Sequence, residues 1–201
     1  MIPTGSVDPF PKANSLEQRV RAELLRTAYA DSIYGALFAM VVAVLVGGTM
    51  LTAFPPGTVI PWVVAMVGCN ALRLLSRWGY GRQTVPLEAT VAWERVFVFV
   101  SAITGLGVGW GMWKFYGASD PIYRVIVVLV LAGLTTGASR LLAPVYWANV
   151  SYLYLSVAPL LLRFVDHDDL RSYALGVMCL LYLGYMTCLL YTSDAADDTP
   201  C

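Results

Sequence analysis

The densest group of ligand-type side chains in the sequence is Asp166-His167-Asp168-Asp169. Carboxylates and an imidazole are suitable donors for a divalent cation. Metal sites, however, usually draw their ligands from spaced positions, and four adjacent residues seldom converge on one ion. The plainer reading is a short polar loop, with Asp166, His167, Asp168 and Asp169 the only metal candidates. His167 is the single histidine, which rules out paired-histidine haem ligation within one chain. Its side chain titrates near neutrality, so it could serve as a sensor of external pH. Of the four cysteines, Cys69, Cys179 and Cys188 fall in apolar runs, where cysteine behaves as a small hydrophobe. No C-x-x-C spacing and no nucleotide-binding glycine motif occurs, so no catalytic residue and no cofactor is expected. Thirteen basic and thirteen acidic residues leave no net charge, which excludes the basic footprint of a nucleic-acid binder.

The surrounding elements indicate where such residues would sit. The chain is 58% hydrophobic and 13% charged, whereas soluble domains carry about 25% charged residues. Residues 101–159 are apolar for three helix-lengths, interrupted only at Gly117–Pro121 and Ala143-Pro144. That pattern predicts an all-α, polytopic membrane bundle of about six transmembrane helices, with the lipid bilayer as its main partner. Residues 1–14 read as a disordered lead. Residues 15–31 read as an amphipathic juxtamembrane helix, opened by a Ser15–Gln18 capping box and carrying an apolar stripe at Leu16, Val20 and Leu24. The membrane domain covers residues 32–190, with spans near 32–54, 59–75, 91–116, 122–142, 145–164 and 170–190. The glycines of the third span mark it for a kink, as does Pro159 in the fifth. Lys12, Arg19, Arg21, Arg26, Arg73, Arg77, Arg82, Arg95 and Arg140 cluster on one side of the predicted topology. The positive-inside rule makes that side cytoplasmic and places both termini there.

Inside the spans, Gly105, Gly107, Gly109 and Gly111 form two small-x-x-x-small pairs on nearly opposite helix faces. Gly133 and Gly137 form another. Packing within one bundle is the usual role of such pairs, and a homodimer through one of these faces is the sharper reading. The polar residues at depth are neutral: Asn70, Thr104, Thr136 and Asn149 are the groups available to a ligand entering between helices, together with Thr135 and Ser156. Arg73, Arg140 and Arg163 fall near span ends, where snorkelling to the interface accounts for them. The absence of an ionisable residue at the span centres counts against an ion-coupled carrier.

Several short motifs recur in a set order. An Arg-Ala-Glu helix precedes the first span, Arg73-Leu-Leu follows the second, and Gly107-Val-Gly-Trp110 lies in the third. Then come Ser119-Asp-Pro-Ile-Tyr123, Leu131-Ala-Gly-Leu-Thr-Thr-Gly-Ala138, Leu142-Ala-Pro144 and Ala158-Pro159-Leu-Leu. Over about residues 19–190 this order resembles the six-span N-terminal membrane region of bacterial signalling proteins. The resemblance implies a multi-pass inner-membrane anchor and sensor preceding a cytoplasmic output domain. That domain would be a GGDEF diguanylate cyclase, with or without an EAL phosphodiesterase, or else a histidine kinase. No such domain follows the sixth span, so the chain reads as a truncated fragment that is not itself an enzyme. Residues 191–201 resemble translated sequencing-adapter read-through and are expected not to be native. A small transporter or permease fragment, or a structural membrane protein without output domain, is the alternative.

Overall fold

The computed structural model describes residues 11–82, 89–117, 120–165 and 170–197. Asp166–Asp169, the metal candidates, lie outside the described residues. The described chain is helical, in the order α1 (Pro11–Met50), α2 (Pro56–Gly81), α3 (Thr90–Phe115), α4 (Pro121–Leu142), α5 (Tyr146–Val165) and α6 (Leu170–Asp197). No strand occurs among the described residues. α1, α2, α3 and α4 each contain a stretch long and apolar enough to cross a membrane.

Proline and aspartate set several boundaries. Pro55 takes an extended conformation and Pro56 opens α2, where its missing N–H costs no helical hydrogen bond. Asp120 caps α4 by accepting from the Ile122 amide at 2.9 Å, with Pro121 at the first helical position. α4 ends before Pro144, which cannot continue it. α3 runs unbroken through its four glycines, and α5 through Pro159.

α1 differs from the expected arrangement. It begins at Pro11, inside the stretch read as disordered lead and ahead of the proposed Ser15 cap, and continues through residue 31 into the first span without a break. Its 40 residues make a rod of about 60 Å, about twice the thickness of a bilayer's hydrocarbon layer. The stripe at Val20 and Leu24 faces outward, these side chains being 52% and 42% exposed. Leu25, Ala28, Tyr29, Ser32 and Ala36 turn inward instead. Small and flat groups on that face let the helix approach its neighbours closely. Tyr29 stacks on Tyr80 at 4.4 Å, meets Trp93 and Phe97 edge-on, and donates its hydroxyl to the Trp93 carbonyl at 3.1 Å. Arg21 pairs with Glu94 at 2.5 Å. The juxtamembrane segment is thereby packed onto α2 and α3. α6 runs to Asp197, into the stretch whose sequence resembles adapter read-through.

The most extensive helix contact joins α3 to α5. It depends on glycine. A methyl group on Gly105 would lie 2.7 Å from the Tyr152 carbonyl oxygen, and one on Gly109 would lie 2.5 Å from that of Leu155. The opposite face of α3 receives α2. There the Trp62 indole lies across Gly107 and Gly111, donating to the Gly107 carbonyl at 3.0 Å. The two glycine pairs thus serve two neighbours of one helix. Gly133 and Gly137 differ: nothing lies within 4 Å of a methyl group built on either.

Replacement of Gly109 by Ala is expected to destabilise the bundle by about 1–3 kcal/mol, because the obstructing atom is backbone and cannot swing aside. Replacement of Gly133 by Ala should be neutral or stabilising by up to about 1 kcal/mol through helix propensity. Thermal unfolding of both variants in a mild detergent checks the contrast, and equal effects would remove the assigned role of Gly109.

Candidate functional site

Two apolar clusters fill the bundle. One surrounds Tyr29, Phe97, Leu142 and Tyr152 near the α1 N-terminal end, and the other surrounds Met50, Trp62, Met112 and Phe115 toward the opposite end. Between them lies a chamber of about 240 Å³. α1 contributes Tyr34, Gly35 and Phe38, and α4 contributes Leu134, Gly137 and Leu141. Asn70 and Arg73 of α2, Thr104 of α3 and Tyr152 of α5 form its polar lining.

The inward face of α2 explains why two polar residues arrive there. Val59, Trp62, Met66, Asn70 and Arg73 are buried at steps of three or four residues, the spacing that keeps side chains on one helical face. The first three fill the core, and the same face then carries Asn70 and Arg73 inward. Asn70 donates through Nδ2 to the Met66 carbonyl at 2.9 Å. Its Oδ1 is buried without a hydrogen-bond partner among the described residues.

Arg73 is the residue that sequence reasoning misplaced. Its position near a span end predicted a snorkelling side chain, yet it is only 5% exposed. Its guanidinium lies over the Phe97 ring, with Cζ 5.5 Å from the centroid. Nε and Nη2 are buried with no hydrogen-bond partner among the described residues. The Arg21–Glu94 and Arg26–Glu23 ion pairs lie elsewhere on the bundle. A cation–π contact offsets part of the desolvation cost, but buried charges normally also have an anion or a set of acceptors. The guanidinium therefore presents unused donor capacity within a chamber. The signal was in the sequence: Arg73 continues the buried Trp62–Met66–Asn70 face by one further step.

The other polar residues at depth have local partners. Thr104 donates to the Val100 carbonyl at 2.8 Å, and Ser156 to that of Leu153 at 3.0 Å. Such bonds to the preceding helical turn satisfy a hydroxyl without external help. Asn149 donates to the Ser139 carbonyl at 3.1 Å, joining α5 to α4, while its Oδ1 has no partner among the described residues. Thr135 and Thr136 both reach the Tyr182 hydroxyl of α6, at 2.8 and 2.7 Å. Of Asn70, Thr104, Thr136 and Asn149, only Asn70 and Thr104 line the chamber. Asn149 and Thr136 serve as ties between helices. Among residues whose side chains are described, no group of three or more His, Cys, Asp or Glu is placed to hold a metal ion.

No protein-family model, curated protein or solved structure matches the chain.

Replacement of Arg73 by Met keeps the length of the side chain and removes its buried charge. It is expected to leave stability unchanged or to raise it by up to about 4 kcal/mol, as when buried ionic groups give way to well-packed apolar ones. Denaturant or thermal unfolding reads the sign. A marked loss of stability would mean that the guanidinium already has a structural partner.

Proposed function

We propose that the chain is the membrane-anchoring and sensory module of a bacterial signal-transduction protein. In this reading six helices cross the cytoplasmic membrane and both termini face the cytoplasm. The observation that carries the membrane assignment is the outward surface of the bundle. Phe38, Val41, Leu45, Val64, Phe99, Leu129, Leu162 and Leu181 are all exposed, on helices separated by short connections. Water would penalise so large a set of exposed apolar side chains, whereas hydrocarbon would not. α5 and the described part of α6 are not among the helices apolar and long enough to stand out as spans. In α5, polar residues that lower its hydropathy, Asn149, Tyr152 and Ser156, are buried in the bundle.

The orientation is supported by charge. Arg26, Arg77 and Arg82 line a groove of about 660 Å³ between α1 and α2, with Trp78 and Tyr80 beside them. Arg82 lies 3.6 Å over the Trp78 ring. Basic and aromatic side chains together suit the cytoplasmic headgroup level.

Signal output is assigned to α6. Among the described residues, α6 makes extensive backbone contact with α5 alone. Its link to α4 is the Tyr182 hydroxyl, shared between Thr135 and Thr136. A terminal helix packed on one neighbour is suited to shift against it and to carry a change into a C-terminal domain. The resemblance in motif order makes a GGDEF diguanylate cyclase the first choice for that domain and a histidine kinase the second. The Arg73 chamber is also what a small carrier would need, and solute uptake into proteoliposomes would favour that second reading.

The protein is expected to stay in the membrane pellet after alkaline carbonate extraction. A fluorescent reporter fused after Leu190 should be bright, and an alkaline phosphatase fused there inactive. Sequencing the source DNA past the Leu190 codon should find an open frame entering a GGDEF or kinase domain. Release into the aqueous phase would overturn the membrane reading, and a stop codon directly after Leu190 would overturn the signalling reading. Separately, replacement of Tyr182 by Phe should weaken the α4–α6 link by roughly 0.6–1.7 kcal/mol, the range for hydrogen bonds between membrane helices. Unchanged unfolding of this variant would remove the latch.

A further inference from the structure

The chamber is open on one side only. Its exposed lining residues, Tyr34, Phe38 and Gly137, belong to α1 and α4, and Tyr34 and Phe38 are 72% and 61% exposed. Asn70, Arg73, Thr104 and Tyr152 lie buried behind them. The mouth therefore faces sideways, between two helices, at the level of the outward apolar surface. Toward the second cluster there is only a separate cavity of about 10 Å³ among Val46, Trp62, Met66, Val108 and Met112. An occupant of any length must therefore keep the rest of itself outside, through the mouth.

Position along the helix narrows the chemistry further. Arg73 lies eight residues before Gly81, the last residue of α2, about 12 Å of helix from that end. On the membrane reading, the basic and aromatic residues from Arg77 to Arg82 sit at the headgroup level, so Arg73, a further turn inward, lies below it. A chamber of about 240 Å³ takes a small head and its first few methylenes rather than a phosphodiester with two chains. The head must accept from a guanidinium whose Nε and Nη2 have no protein partner among the described residues. A carboxylate does this in the bidentate geometry that guanidinium favours.

We propose that the chamber is a lateral binding site for the carboxylate head of a single-chain fatty acid, which enters from the bilayer between α1 and α4. Arg73 is the counter-ion, and the Tyr152 hydroxyl and the second Asn70 N–H are the donors beside it, while Thr104, whose proton goes to the Val100 carbonyl, only lines the wall. Tyr34 and Phe38 flank the emerging chain. The inference rests on the membrane reading above and names the class of molecule that the module would sense.

The full chain, reconstituted in zwitterionic phosphatidylcholine nanodiscs, is titrated with radiolabelled oleate. Saturable binding is expected. Oleyl alcohol, which has the chain without the charge, should not compete, and neither should butyrate, inorganic phosphate or phosphatidylglycerol. Arg73→Met should weaken oleate binding at least tenfold without lowering the melting temperature of the ligand-free protein. Gly137→Leu provides a second test. Its added side chain starts in open space, so it should block the mouth and weaken binding at least tenfold while Arg73 is kept. Absence of saturable oleate binding, or binding unchanged by both substitutions, would overturn the proposal. Preferential competition by phosphatidylglycerol would reassign the site to a lipid phosphate, and competition by butyrate to a small soluble carboxylate; either overturns the fatty-acid assignment. A protein that stays in the membrane after carbonate extraction yet fails to bind oleate would sink this inference alone. A protein released by carbonate would sink the membrane reading itself.

Discussion

The bundle depends on how closely the backbones of α3 and α5 approach. At Gly105 and Gly109 the missing side chains admit the carbonyls of Tyr152 and Leu155 to distances that no methyl group would tolerate. Dispersion forces fall steeply with separation, so a shared backbone surface contributes attraction that larger residues would forfeit. In hydrocarbon this matters more than in water, because burying apolar side chains gives no advantage over leaving them in lipid. With α3 fixed against α5 on one face, Gly107 and Gly111 place Trp62 and α2 on the other. The positions of Asn70 and Arg73 follow from that second contact.

Polarity inside the bundle divides into two kinds. Thr104, Thr135 and Ser156 bond to the preceding turn of their own helices, and Asn149 and Tyr182 tie neighbouring helices together. Their donors are satisfied locally and add specificity to the packing, although Asn149 Oδ1 is buried without a partner among the described residues. Arg73 and the Asn70 carbonyl oxygen are of the other kind, buried beside open space with hydrogen-bonding capacity left over. A stable fold does not need such an arrangement. Buried groups of this sort reduce stability and are typically found where a site is preorganised for something else.

The two ends of the molecule are held differently. Near the α1 N-terminal end, Tyr29, Tyr80, Trp93 and Phe97 interlock, and the Arg21–Glu94 pair binds α1 to α3. The extended α1 is thereby part of the bundle rather than a float on its surface. α6 packs on α5, sends Cys179 and Met186 into the second cluster and shares the Tyr182 hydroxyl with Thr135 and Thr136 of α4. The chamber lies among α1 to α5, and α6 meets that part of the bundle through α4 and α5.

Much of this architecture was legible in the sequence. Apolar runs of helical length, stopped by Pro55-Pro56, Pro121 and Pro144, determined the number and approximate extent of the helices, because hydrophobic length and proline geometry act locally. Glycine spacing in α3 determined that two opposite faces were available for close packing, since helical periodicity alone fixes which residues share a face. The tertiary structure decided which neighbour took each face, and it left Gly133 and Gly137 open although their spacing is the same. It also decided that α1 buries Leu25, Ala28 and Tyr29 rather than Val20 and Leu24, because the neighbours offered aromatic rings that a small, flat face could meet. Arg73 marks the limit most plainly. Its distance from the span end permits a side chain of that length to reach water. Its helical face, set by Trp62 seated on α3, turned it into the bundle instead. Snorkelling depends on direction as well as reach, and direction is fixed only when the helices have packed.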